Sequence, residues 1–262
     1  MDRIDAATIA VVIDTMAAER AELLALLGSL SEAEWAQSTE CPEYRVKGIA
    51  AHILGDDLSL LSLLSRQRDG ALPGLFLVAE KMAGADIRQL LDAFNDQWVE
   101  AARFMSPPVL LELLGLAGQW TLDFYRSVDP GAPCEPVPLY SPEPGEMSPY
   151  WQAIAREYLE RWTHHAQIRR ALGRGSLAAS PYLDVGLRIV SGVADQTPGV
   201  PADAEGDWAI GPLSLGPRAQ AADILTLAHS SDEVRQLVPG PPDAVASFAE
   251  RVGRRPAPTE SI

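Results

Sequence analysis

The stretch Arg156–Gly173, REYLERWTHHAQIRRALG, decides how this chain is read. Trp151, Ile154, Tyr158 and Trp162 recur at helical spacing through and just before it, and Gly173 is suited to end it, so a helix is predicted from Tyr150 to Leu172. The same stretch holds two of the four histidines, His164 and His165. Glu160 lies four residues before His164, and residues four apart on a helix share a face. Two readings of that pair are open. It belongs to a solvated charged face, or it offers a carboxylate and an imidazole to one metal ion, as paired helical ligands do in bundle metal sites. Ala153, Glu157, Gln167 and Ala171 lie on the same ridge, while His165 points about 100° away.

Outward from this helix, the first ~175 residues read as an antiparallel helix bundle. Apolar residues at Ile9, Val12, Ile13, Met16, Leu23, Leu24 and Leu27 predict a helix from Ile4 to Leu30 with Gly28 near its end. Ser31 and Glu34 form a capping box opening a short helix that carries Trp35. Val46, Ile49, Ile53, Leu60, Leu61 and Leu64 mark a second long helix to about Arg66, and Gly70–Gly74 breaks the pattern. Helices are also expected at Asp86–Phe104 and at Val109 to about Val128, the latter started by Ser106-Pro107-Pro108. Between Asp129 and Pro149 stand seven prolines, which predict a long loop without regular structure. Beyond Gly175 the character changes to a small mixed α/β domain over residues 176–255. A helix near Pro181, a hairpin of Asp207–Ile210 and Leu213–Leu215, a buried strand at Ala222–Ala228, a helix capped by Ser230 and Glu233 and a last helix at Asp243–Val252 are expected. Residues 256–262 read as a frayed tail. The fold class is therefore α+β.

The 262 residues carry a formal charge of −15, with 47% hydrophobic and 22% charged residues. This is the composition of a folded globule. The acidic balance argues against nucleic acid and against anionic membrane surfaces as partners, because both are held by clustered Lys and Arg. No apolar run reaches the ~18 residues of a membrane span. The acid-punctuated N-terminus is unlike a signal peptide, and Cys41 and Cys134 are too few and too far apart for a disulfide framework. A cytoplasmic protein is expected. Its wealth of Ala, Leu, Arg and Gly matches a GC-rich genome.

His52 bears on the two readings of the Glu160–His164 pair. It lies inside the second long helix, in IAAHILGDDLSLL, where His52, Asp56 and Ser59 form a polar ridge beside the Ile49, Ile53, Leu60 stripe. A histidine near a core needs a partner, since a buried unpaired polar group costs ~1–3 kcal/mol. Asp56 or a backbone carbonyl is one such partner; a metal shared with Glu160 and His164 is the other. Two histidines and one glutamate leave a fourth position for water or substrate.

The segments CPEYRVKGIAAHILGDDLSLL, SPYWQAIAREYLERWTHHAQIRRALG and LSEAEW resemble the N-terminal family of mycothiol-dependent maleylpyruvate isomerases, which are DinB-like metal-binding four-helix bundles. The resemblance spans about Ile4 to Gly173. It implies a metal triad of His52, Glu160 and His164, the residues that the spacing picks out. It implies a divalent metal, best matched by zinc, and a low-molecular-weight thiol, mycothiol, as cosubstrate. The chain departs from the family pattern at Gln167, where an Asp is usual, and at Tyr44, where a Trp is usual. Gln167 and Asp56 are candidates for outer-shell groups that orient a ligand.

The reaction implied is addition of the metal-held thiol to the cis double bond of maleylpyruvate, rotation about the resulting single bond, and loss of the same thiol to leave fumarylpyruvate. The same apparatus suits thiol S-transfer to an electrophile. Other readings are a metal-dependent enzyme with an unrelated substrate and a non-catalytic or regulatory metal-binding member, since fold does not fix function. The partners expected are a small-molecule substrate and the thiol. Arg161, Arg169 and Arg170 are either receivers of a substrate carboxylate or a basic helix end complementing the dipole. Trp120, Trp151 and Trp162 are expected in the core or in a pocket wall, and Asp57 beside a ligand or water.

Overall fold

The computed structural model of the chain describes residues 6–41, 43–66, 81–85, 87–134, 147–175, 177–179, 181–193, 198–199 and 206–253. The expected break at Gly70–Gly74 and the tail lie outside them. Within them the protein is α+β, mostly helical with two small sheets. Residue contacts group the chain into two units, Met1–Glu19 with Thr39–Pro42 and Val128–Ile262, and Arg20–Ser38 with Glu43–Ser127. This grouping keeps the residues from Val128 to Gly175 with those after them and divides the first helix, α1 (Ala6–Gly28), after Glu19, so its boundaries differ from the division at residue 175 read from the sequence.

In the unit of Arg20–Ser38 and Glu43–Ser127, the short α2 (Glu32–Trp35) begins with the expected capping box. The Ser31 hydroxyl receives the Glu34 amide at 3.4 Å, and Glu34 receives the Ser31 amide at 2.8 Å. Helix α3 (Val46–Arg66) packs against α4 (Ile87–Ala102) and α5 (Pro107–Ser127). Their meeting faces follow the predicted period: Val46, Ile49 and Ile53 of α3 and Leu110 and Leu114 of α5 are buried. Full burial of such side chains contributes about 1.5–3 kcal/mol each. Asp57 is fully buried here. It pairs with Arg20 Nη1 at 2.9 Å and accepts from the Thr121 hydroxyl at 3.2 Å. It is therefore a structural anion of this core, not the ligand-side group expected. Trp120 also departs from expectation. It is exposed on α5, whereas Trp162 in the other unit is fully buried.

The second unit is built on α6 (Tyr150–Ala171), the helix predicted from the opening stretch. The proline-rich loop before it is tied at its ends. Strands β1 (Pro133–Cys134) and β2 (Ser148–Pro149) pair antiparallel, a regular element where none is predicted; residues 135–146 lie outside the described set. At the far end of α6, Gly173 adopts φ +66°. Its amide reaches the Arg170 carbonyl at 2.9 Å and that of Arg174 reaches Arg169 at 2.8 Å, the paired bonds of a Schellman end. Helix α7 (Tyr182–Val193) brings Gly186 close against the Trp162 ring. A Cβ there would lie 2.4 Å from Trp162 Cζ3, so the close approach requires glycine.

Strands β3 (Pro198–Gly199), β4 (Trp208–Ile210) and β5 (Leu213–Gly216) form one antiparallel sheet, with β4 and β5 making the hairpin expected across Gly211-Pro212. The segment predicted as a strand, Ala222–Ala228, belongs instead to helix α8 (Arg218–Leu225) and its end. Its apolar run is too short to distinguish the two periods. What decides is packing: Ala221, Ala222, Ile224 and Leu225 cover one helical face and are all buried. Helix α9 (Ser231–Leu237) has the Ser230–Glu233 capping box, and α10 (Pro242–Val252) follows against it.

Candidate metal centre

On α6, the i,i+4 relation places the Glu160 carboxylate 3.6 Å from His164 Nε2. The other ring nitrogen, Nδ1, is 2.8 Å from Gln167 Oε1. An amide oxygen only accepts, so Nδ1 carries the proton and donates, and the lone pair of the neutral ring resides on Nε2, on the Glu160 side. A carboxylate, an imidazole nitrogen beside it and a hydrogen-bond acceptor behind the ring are groups of the kind that metal sites use, with two of them able to serve as ligands. Gln167, which is buried, thus does for His164 what a carboxylate would do, without the charge. Arg156 Nη2 lies 3.7 Å from Glu160, and Arg156 Nη1 binds Glu157 at 2.8 Å. So the Glu160 carboxylate also has a cation beside it.

His52 belongs to the other unit. It is buried on α3, with Nε2 3.4 Å from Asp56 Oδ2. The Tyr44 ring stacks on it, with centroids 6.0 Å apart. The Tyr44 hydroxyl donates to Asp96 at 2.9 Å. Burial pushes the Tyr44 phenol well above its ordinary value, and the Asp96 bond and charge add to that shift. Tyr44 therefore gives His52 an aromatic wall, and the Asp96 bond ties its hydroxyl. Asp56 is thus a neighbour of His52, as its helical spacing implies. Among the described residues no group of three or more His, Cys, Asp or Glu is gathered so as to hold a metal ion.

The adjacent His165 has a separate place. Both it and Glu19 are fully buried, and its Nδ1 donates to Glu19 at 2.8 Å. Nothing in the local sequence marks Glu19, 146 positions away. Close to this pair, Tyr158 donates to the Tyr182 carbonyl at 2.6 Å. Burial, followed by the Glu19 charge, holds its phenol well above its ordinary value. The three arginines are engaged by the protein. Arg161 faces Glu157 at 3.5 Å, Arg169 donates to the Gly175 and Arg174 carbonyls, and Arg170 binds Glu40 and the Thr226 carbonyl. Arg169 thus serves the helix end, as its dipole reading expects.

A family model described as the mycothiol maleylpyruvate isomerase N-terminal domain matches residues 16–169, more than half of the chain. The chain belongs to this family. The match takes in His52, Glu160 and His164 together with Tyr44 and Gln167. No curated protein and no solved structure matches the chain. Among the described residues, no helix is long and apolar enough to cross a membrane.

Proposed function

We propose that this protein is a metal-dependent enzyme that uses a mycothiol-like thiol, either to isomerise a maleylpyruvate-like cis acid or to transfer the thiol to an electrophile. The observation that carries the reading is the Glu160–His164–Gln167 array, with its 3.6 Å and 2.8 Å spacings, inside the segment that matches the family. His52 is the third proposed ligand, the metal is proposed to be zinc, and the helical part is proposed to be a DinB-like four-helix bundle over residues 1–175. Residues 176–255 are proposed as the α/β domain, and the cytoplasm as the location.

When bound, the metal lowers the pKa of a thiol and stabilises the thiolate. The residues prepare for this. Gln167 holds the His164 ring so that Nε2 presents its lone pair. Tyr44 and Asp56 hold the His52 ring. Arg156 places a positive charge beside the Glu160 carboxylate. Cys134 is buried and Cys41 half-buried, and neither belongs to this array.

A second reading, a member that keeps the fold without the reaction, is favoured by the absence of a gathered three-ligand cluster among the described residues. Elemental mass spectrometry on tag-free protein separates the two. About one equivalent of metal in wild type, lost in His52→Ala, together with thiol-dependent turnover of maleylpyruvate or of a soft electrophile, is expected for the enzyme. Absence of metal after reconstitution would favour the non-catalytic reading.

A further inference from the structure

Within the unit containing Val128–Ile262 there is a cavity of about 300 Å³, at the lower end of the range for small-molecule sites. An apolar cavity of about half that volume takes up benzene, so this one has room for a body of about ten non-hydrogen atoms. Packed side chains leave few voids larger than a water molecule, and a space of this size is no ordinary packing gap. Its walls come from α6, α7, the β4–β5 hairpin and the end of α8, and from α10. Most of the lining is apolar, with Leu159, Val190, Leu213 and Phe248 among its side chains. The charged side chains on it are Arg156, Glu160 and Arg251, and none of them is free. Arg156 binds Glu157 at 2.8 Å and lies 3.7 Å from Glu160. Thr163 and Ser247 complete the polar lining.

A second observation concerns the wall residue Leu227. Helix α8 ends in the same paired bonds as α6, Leu227 amide to Ile224 carbonyl at 3.3 Å and Ala228 amide to Asp223 carbonyl at 2.9 Å. The turn residue at such an end sits in the left-handed region and is usually glycine, as at Gly173. Here it is Leu227, at φ 59°, the one non-glycine residue with positive φ among those described. Such strain persists where the surroundings over-determine it, and it clusters at ligand clamps. The turn is held in that way. Thr226 donates to the Ala222 carbonyl at 2.7 Å, and Arg170 donates to the Thr226 hydroxyl at 2.8 Å and to its carbonyl at 2.9 Å. The result is an apolar side chain on the cavity wall where glycine would leave none.

We propose that this cavity binds a small neutral molecule with an apolar body, and that it discriminates against carboxylates. A charged head would meet a wall whose charged groups are already engaged, and would lose its water without gaining a partner. A neutral aliphatic or aryl body has no such hydration to lose, and it gains contact with leucine, valine and phenylalanine. One hydroxyl or carbonyl on the ligand is compatible with this lining, because a Thr or Ser hydroxyl can donate or accept. Glu160 belongs both to the lining and to the His164 array. Taken as the enzyme's substrate site, which rests on the function proposed above, the cavity favours S-transfer to a neutral apolar electrophile over isomerisation of maleylpyruvate, a dicarboxylate.

The test is calorimetric binding of octanol and of octanoate, alike in chain length and different in charge, to the full chain at neutral pH, metal-free and zinc-loaded. Octanol is expected to bind the metal-free protein with a Kd below about 1 mM, and octanoate about tenfold or more weakly. Octanoate binding as tightly as octanol overturns the proposal, as does absence of octanol binding. Ser247 is exposed and lines the cavity, so Ser247→Trp fills it from the rim and should weaken octanol about tenfold. Leu227→Gly relieves the backbone and removes part of the wall, and should weaken octanol severalfold with the fold retained by circular dichroism. Octanol binding unchanged in both variants places the ligand elsewhere and overturns the proposal. Zinc uptake separates this proposal from the metal reading. If the protein takes up no zinc but binds octanol, the metal reading fails alone. If it holds zinc and octanol does not bind, the cavity proposal fails alone.

Discussion

His164 and His165 are neighbours in sequence on one helix, yet their surroundings have little in common. His164 is partly exposed, with Glu160 one turn back and Gln167 three residues on among its neighbours. His165 is fully buried, and its partner Glu19 lies on α1. A 100° step along the helix separates a residue arranged to give a lone pair from one committed to packing. Identity and position in sequence do not distinguish the two; the second contact does.

The largest effect is expected from breaking the buried pair. His165→Ala leaves the Glu19 carboxylate in the interior without its partner. Stability measured by urea unfolding should fall by about 3–5 kcal/mol. Replacing both, Glu19→Leu with His165→Leu, should recover most of that loss, because an apolar pair of similar volume removes the desolvation cost. A double variant as unstable as the single one would show that the pair is irreplaceable.

For His164 the large effect is on metal and not on folding. Gln167→Ala removes the acceptor behind the ring and should weaken zinc affinity by about 10–100-fold, read by competition with a chromophoric chelator. His164→Ala should abolish zinc binding.

Tyr158 adds a pH signature on the His165 side. Its folded phenol titrates well above the ordinary value of 10.0, so above that pH the unfolded chain loses a proton that the folded chain keeps. The stabilising contribution is whole below pH 10 and falls by about 1.4 kcal/mol per pH unit above it. Tyr158→Phe should flatten that alkaline decline, at a cost of about 1 kcal/mol at neutral pH for the bond to the Tyr182 carbonyl. The smallest expected effect completes the comparison. His164→Ala should change metal-free stability by less than about 1 kcal/mol, the range of partly exposed pairs.

Both helix ends teach the same lesson as the two histidines. Gly173 is readable as a stop from the residue alone, and the chain does turn there. Leu227 gives no such signal, so Ala222–Ala228 reads as a strand until tertiary packing shows a helix ending at a strained leucine. Trp120 and Asp57 fail to match expectation for a related reason. Helical spacing tells which residues share a face but not which face is covered, and a carboxylate at Asp57 is as well suited to Arg20 as to a ligand.

The sequence by itself determined what depends on contacts a few residues long. The helical periods, both capping boxes, the Gly173 end, the hairpin across Gly211-Pro212 and the Glu160–His164–Gln167 spacing all follow from backbone geometry acting over one or two turns. Tertiary structure alone decided the Glu19–His165 and Arg20–Asp57 pairs, the close approach of Trp162 to Gly186, and the cavity with Leu227 in its wall. These join residues tens to more than a hundred positions apart. Their formation depends on how volumes fill and charges are matched when elements pack, and no local pattern encodes that.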